Sequence, residues 1–314
     1  MTMPRKFFRT SHIGHRWLLV ALSGLLLGSS SLLVVACRAT TSTPQPATDT
    51  ATDISSETNA ADSIQRIVTL TSLSADLVSQ LDNNKLVGIP GSSLLEQEDR
   101  FAQKTVVSAG RTEPDLEKII SLEPDLVIGS KGMQDKTLQK LNELNIPALA
   151  AEVNSWENLY AFTTTLAQQM GADPESLLAR YNNCLANAPE QPISALVLVS
   201  RQPLLAPNAN SWAGDFLAQM NIQNLAADWQ GNSPIAGYIT LSAEKVIEAD
   251  PNSLMIVSTD DSLLSQLETE PFWSQLKATQ NGQVSNFDYF GLVNPGSLTS
   301  IEATCKQLKQ LTRL

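Results

Sequence analysis

From residue 64 onward the chain alternates between two hydropathy textures. Short runs of β-branched and aliphatic residues recur at 66–71, 86–89, 105–108, 126–130 and 148–151, and the same texture returns at 195–200, 254–259 and 283–287. Between several of these runs apolar residues repeat at helical spacing, as over 75–81 and 136–144. Continuous apolar strands separated by helices predict parallel sheets covered on both faces. The middle of the chain differs. From Trp156 to about Ala188 the period is helical throughout, with Leu159, Phe162, Leu166 and Met170 on one face. A break at 171–174 separates this stretch from a second helical pattern carrying Leu177, Leu178, Tyr181 and Leu185, and Pro174 suits a first helical turn after Asp173 as N-cap. The pattern predicts two Rossmann-like α/β lobes, 64–170 and 192–314, with a connecting helix at 171–191.

An internal repeat supports two related lobes. Residues 116–130 read LEKIISLEPDLVIGS and residues 243–258 read AEKVIEADPNSLMIVS. Glu117 aligns with Glu244, Ile120 with Ile247 and Pro124 with Pro251, each copy being a short helix, a Pro-marked turn and a buried strand.

The N-terminus has a different logic. Arg5, Lys6, Arg9 and Arg16 precede an apolar stretch from Trp17 to Ala36, which ends in Val34-Val35-Ala36-Cys37. Basic start, apolar middle and small residue before a cysteine describe a lipoprotein signal peptide over 1–36, with Cys37 as the lipidated residue. Twenty apolar residues could also span a bilayer, but the serines, the glycines and the small-residue ending favour processing. Residues 37–63 have Ile54 as their only large apolar side chain. Such a segment cannot offset its ordering entropy, so it is expected to be a disordered tether with a reach of about 25–30 Å.

Removing 1–36 alters the chemistry of what remains. Four basic charges leave, taking the net charge from −11 to about −15, which disfavours nucleic acid or an anionic lipid surface as partner and favours a monomer. Both histidines, His12 and His15, also leave. A Ser-His-Asp or Cys-His triad is then impossible, as is a His-rich metal site. With no G-x-S-x-G and no P-loop, the chain is not expected to be an enzyme and no resident metal or cofactor is expected. Cys184 and Cys305 are either a disulfide, permitted in an exported protein, or two small buried apolar residues.

The run Gly110-Arg111-Thr112-Glu113-Pro114-Asp115-Leu116-Glu117-Lys118-Ile119, continuing through Leu122-Glu123-Pro124-Asp125-Leu126-Val127-Ile128, resembles the helical-backbone class of periplasmic substrate-binding proteins. These serve ABC importers of ferric siderophores and cobalamin. The segments 66–70, 213–217, 241–246 and 272–276 are similar to the same family, in the same order. The resemblance implies two lobes joined by a single long helix, a ligand cleft between them, modest closure, and an ABC permease dimer with its ATPase as partner. It implies permease docking by Glu117 and Glu244, one exposed carboxylate per lobe, although a carboxylate in a first helical turn also complements the macrodipole. It implies a cleft role for Arg111, whose guanidinium fork suits iron-chelating oxygens. A surface arginine paired with Glu113 or Asp115 is the alternative.

Topology adds further candidates. Ligands in open α/β sheets lie beyond the carboxyl ends of the strands, where Ser72, Lys131, Arg201 and Asp260 fall, with Tyr289 and Phe290 after the last strand. Trp212, Trp229 and Tyr238 fall on Gly/Asn/Ser-rich connections, as ligand walls or core plugs. Lys131, Arg201, Trp212, Tyr238 and Tyr289 therefore join Arg111 as expected ligand residues. Cations in an acidic protein favour an anionic ferric chelate over near-neutral cobalamin, and haem iron would need Tyr or Met. A ligand sensor that has kept the fold is the non-transport alternative.

Overall fold

The computed structural model describes residues 64–311, apart from 110, 111, 234 and 259–261. Cys37, the signal segment, the tether, Arg111 and Asp260 therefore lie outside the described residues.

The first lobe runs β1 (Ile67–Thr69), α1 (Ser72–Asp82), β2 (Leu86–Pro90), α2 (Ser93–Glu96), β3 (Thr105–Ser108), α3 (Leu116–Ser121), β4 (Leu126–Ser130), α4 (Asp135–Glu143) and β5 (Ala148–Ala151). Its sheet is parallel in the order β3-β2-β1-β4-β5. Helices α5 (Trp156–Met170) and α6 (Glu175–Leu185) follow. The second lobe runs β6 (Ile193–Leu198), β7 (Ser200–Arg201), β8 (Leu204–Pro207), α7 (Trp212–Gln219), β9 (Ile222–Asn224), β10 (Tyr238–Leu241), α8 (Ala243–Ala249) and β11 (Ser253–Ser258). It continues through α9 (Ser262–Glu268), α10 (Lys277–Gln280), β12 (Val284–Asp288), the irregular turn α11 (Tyr289–Leu292) and α12 (Leu298–Gln310). Its main sheet is parallel in the order β12-β11-β6-β9, and β10-β8-β7 forms a small antiparallel sheet.

Burial explains the apolar strands. Val127 and Ile128 of β4 and Met255, Ile256 and Val257 of β11 are fully buried, because both faces of each parallel sheet are covered. One cluster runs through both lobes, joining Ile67 and Ile128 to Val197, Val257 and Phe287 by way of Trp156, Phe162 and Tyr181. Separate clusters fill the outer faces beneath α3 and α4 in one lobe and α8 and α9 in the other.

The passage between lobes is two helices in tandem rather than one. Gly171 ends α5 in the left-handed conformation at φ 65°, a backbone glycine adopts without strain. Asp173 Oδ1 then accepts from Glu175 N at 3.0 Å as α6 begins. Of 171–191 only Glu175–Leu185 is helical, and α5 itself contacts both α1 and α7. Cys184 on α6 is disulfide-bonded to Cys305 on α12, with Cα atoms 5.5 Å apart.

Candidate functional site

The repeat identified above is repeated in geometry. Asp115 caps α3 by accepting from Lys118 N at 3.1 Å, and Ser242 caps α8 by accepting from Lys245 N at 3.2 Å. Glu117 and Glu244 are each the second residue of their helix, and both are exposed. Each copy then turns through a left-handed residue before its proline, Glu123 at φ 46° and Asp250 at φ 38°, and enters the central strands β4 and β11. Because α3 joins β3 and β4, two parallel strands of one sheet, it must start at the carboxyl end and return to the amino end. Leu241, just before α8, pairs with Leu204, and Leu204 pairs with Arg201 beyond the carboxyl end of β6. Both glutamates therefore stand on the carboxyl-end side of their sheets. Hydrogen bonds from its own backbone and from Ser242 hold the Glu244 carboxyl below the usual carboxylate range.

Residues that follow the strands of one lobe meet residues that follow the strands of the other. In the first sheet the order reverses at β1, flanked by β2 and β4; in the second it reverses at β6, flanked by β9 and β11. Crevices at such switch points are where open α/β sheets bind ligands. Trp156, after β5, stacks at 5.4 Å on Trp212, which opens α7, and Asp215 Oδ2 accepts from Trp156 N at 2.7 Å. A second crossing joins Leu94, after β2, to the turn after β12. A Cβ added at Gly296 would come within 2.7 Å of Leu94 Cδ1 and 2.8 Å of Phe290 Cδ1, so a larger residue there would have to displace these side chains.

Among the expected ligand residues, Lys131 lies at the carboxyl end of β4 and is closed by Glu152, with Nζ 2.6 Å from Oε2. That hydrogen bond holds its ammonium above the usual lysine range. Arg201 donates from Nε to Glu270 Oε1 at 2.6 Å. Tyr238 opens β10 rather than sitting in a loop. Burial, and then the charge of Tyr289, push its phenol above the usual tyrosine range. Trp212 is 4 % exposed, and its indole N–H donates to Gly291 O at 2.8 Å. Its side chain is a plug in the shared core, because Ser211 caps α7 and turns the first helical residue inward. Trp229 packs against the outer cluster beneath Lys245 Nζ, 4.9 Å from its ring centroid.

Sequence reasoning missed Trp156 and Leu94, the first lobe's contributions to the crossings. Ser155 before Trp156 is an N-cap signal; nothing local marks Leu94.

The fold recurs in known proteins. YvrC, an uncharacterized ABC transporter substrate-binding lipoprotein of Bacillus subtilis, is 22 % identical over 71 % of this chain and 73 % of its own length. The Fe(3+)-citrate-binding protein YfmC of Bacillus subtilis is 27 % identical over 57 % of this chain and 58 % of its own length. The solved periplasmic vitamin B12-binding protein BtuF of Vibrio cholerae superposes with a TM-score of 0.62 and 20 % identity, over 80 % of this chain and 99 % of that one. The model of the periplasmic binding protein family matches residues 67–288, a span that includes the main sheet of each lobe, both glutamates and the Trp156–Trp212 crossing, and this chain belongs to that family.

Proposed function

We propose that this chain is the substrate-binding component of an ABC importer, which captures a metal chelate of the ferric-siderophore type in the crevice and delivers it to a permease dimer with its ATPase. The observation that carries the reading is the pair Glu117 and Glu244, both exposed and each the second residue of its helix in the two copies of the repeat. Two carboxylates related by the repeat suit basic residues on two permease subunits, steering encounter and fixing register. Family membership and relatives named for ABC substrate binding and for Fe(3+)-citrate support it. The signal pattern ending at Cys37, and a relative named as a lipoprotein, support export and lipid anchoring on the periplasmic or extracellular side. The protein would work as a monomer.

In the native host, the Glu117→Ala, Glu244→Ala double variant is expected to bind ligand normally and lose transport. Loss of ligand affinity, or unchanged transport, would remove the docking role.

A second reading, a cobalamin-type ligand, is favoured by one observation. Lys131 and Arg201 are each paired with a glutamate, so neither brings an uncompensated charge for an anionic chelate. Titration of tryptophan fluorescence separates the two. Quenching by ferric siderophores supports the first reading, and quenching by cobalamin alone supports the second.

A further inference from the structure

Five large apolar side chains among the described residues are strongly exposed: Val106, Ile120, Met133, Leu144 and Ile235. Scattered exposed apolar residues are ordinary, and Val106 on β3, Ile120 on α3 and Leu144 at the end of α4 need no special account. Met133 and Ile235 differ in where they stand and in how they are held.

Met133, 78 % exposed, lies in the turn between β4 and α4, at the carboxyl end of the first sheet beside the Lys131–Glu152 pair. That turn is stiff. Gly132 takes φ +82°, its N–H donates to Asp135 Oδ1 at 2.8 Å, Gln134 N donates to Ser130 O, and Gln134 Oε1 accepts from Ser130 N at 2.6 Å. Ile235, 50 % exposed, lies in the connection leading into Tyr238. Here too the backbone is fixed. Ile235 N donates to Ser233 Oγ at 3.1 Å and Tyr238 N donates to Ile235 O. Gly237, at φ +78°, lies so close to Asn210 and Ser211 that an added Cβ would sit 3.0 Å from each. Ser211 caps α7 at the carboxyl end of the second lobe, where Trp212 meets Trp156 of the first. Each lobe thus presents one apolar side chain from a hydrogen-bonded turn with a left-handed glycine, on the side where the lobes face.

We infer that Met133 and Ile235 grip the ligand from opposite lobes and select a chelate with an apolar periphery and little net charge. This rests on the importer reading above. Apolar surface held rigidly in water gains about 25 cal/mol per Å² when a ligand covers it, and a stiff turn spares the ordering cost of gripping. The thioether of Met133 adapts to irregular shapes. The charges agree with this. Among the described residues, Lys131 at the end of β4 and Arg201 at the end of β7 are each paired with a glutamate, so neither offers a polyanion uncompensated charge.

The test uses the full chain in detergent, titrated by tryptophan fluorescence with ferrichrome and cyanocobalamin as low-charge probes and ferric citrate as a polyanionic one. At least one low-charge probe is expected to bind more tightly than ferric citrate. Met133→Gln and Ile235→Gln are each expected to weaken that binding by about tenfold, with thermal midpoints unchanged because both side chains are exposed. Preference for ferric citrate, or full affinity for the low-charge probe in both Gln variants, would overturn the inference and leave the importer reading standing. Binding of none of the probes, nor of any other ferric siderophore, would overturn both.

Discussion

Asp76→Asn is expected to cost the folded chain about 3 kcal/mol, read as a lower urea midpoint with an unchanged slope. Asp76 sits on α1 and is fully buried, yet it is a carboxylate with three donors, one from the next turn of its own helix and two from distant parts of the chain. Oδ1 accepts from Arg100 Nη2 at 2.5 Å and from Gln80 Nε2 at 2.9 Å, while Oδ2 accepts from Leu298 N at 2.7 Å. Leu298 begins α12, 222 positions later, so a side chain of the first lobe satisfies an otherwise open amide at the start of a helix of the second. An amide of the same shape can keep, with its single oxygen, either the two bonds made at Oδ1 or the one made at Oδ2. Its NH₂ group must then face a donor, and Arg100 loses its buried counter-charge. Glu98 stays with Arg100 at 2.6 Å, so the arginine is not left wholly unpaired; the larger loss falls on the contact between α1 and α12. A change below about 0.5 kcal/mol would show that Asp76 merely fills space.

That contact also bears on how the protein would act on its ligand. Arg180 on α6 joins Gln80 of α1 to Glu302 of α12, meeting Glu302 at 2.7 and 2.8 Å. Lys85 Nζ donates to Met170 O at 2.7 Å, tying the first sheet to the end of α5. With a continuous core running beneath both lobes, a large hinge motion would have to break packed apolar contacts and buried polar bonds together. The rigid part of the molecule lies behind the crevice, and ligand-linked movement is expected in the turns along its rim.

Much of this architecture was legible in the sequence, and the exceptions share a cause. The runs at 105–108, 126–130 and 148–151 are strands with those bounds; the central run 126–130 is apolar because it is covered on both faces, whereas the edge strands leave Thr105, Val106 and Ala150 exposed. The repeat 116–130 and 243–258 announced matched helix–turn–strand units, and the structure adds a left-handed residue before each proline. The antiparallel sheet of β7, β8 and β10 was not visible, since strands of two to four residues flanked by Pro203 and Pro207 carry no period. Cations at 131 and 201 were legible as cations but not as ion pairs, because Glu152 and Glu270 lie 21 and 69 positions away. Asp76 showed nothing at all locally: a polar residue on a helix declares its burial only through Arg100 and Leu298. Trp212 looked like a loop residue until Ser211 is read as an N-cap, which turns the ring into the core.

The disulfide is the remaining large term. Replacing Cys184 and Cys305 together by alanine is expected to cost about 3–4 kcal/mol, because the bond closes a loop of 121 residues and such closure restricts the unfolded chain strongly. The two cysteines are 4 % and 3 % exposed and lie between α6 and α12, which bring Arg180, Glu302 and the capped start of α12 into register. Chain-entropy loss would act on the unfolded state alone, whereas loosening of α12 would also weaken the bond from Leu298 to Asp76. A double-mutant cycle separates the two. If the disulfide acts only through the unfolded chain, the penalties of Asp76→Asn and of the alanine pair add within about 0.5 kcal/mol. If it also holds α12 against α1, the combined loss falls short of that sum, because the contact is already weakened. An urea midpoint unmoved by the alanine pair would show that helix packing alone keeps α12 in place.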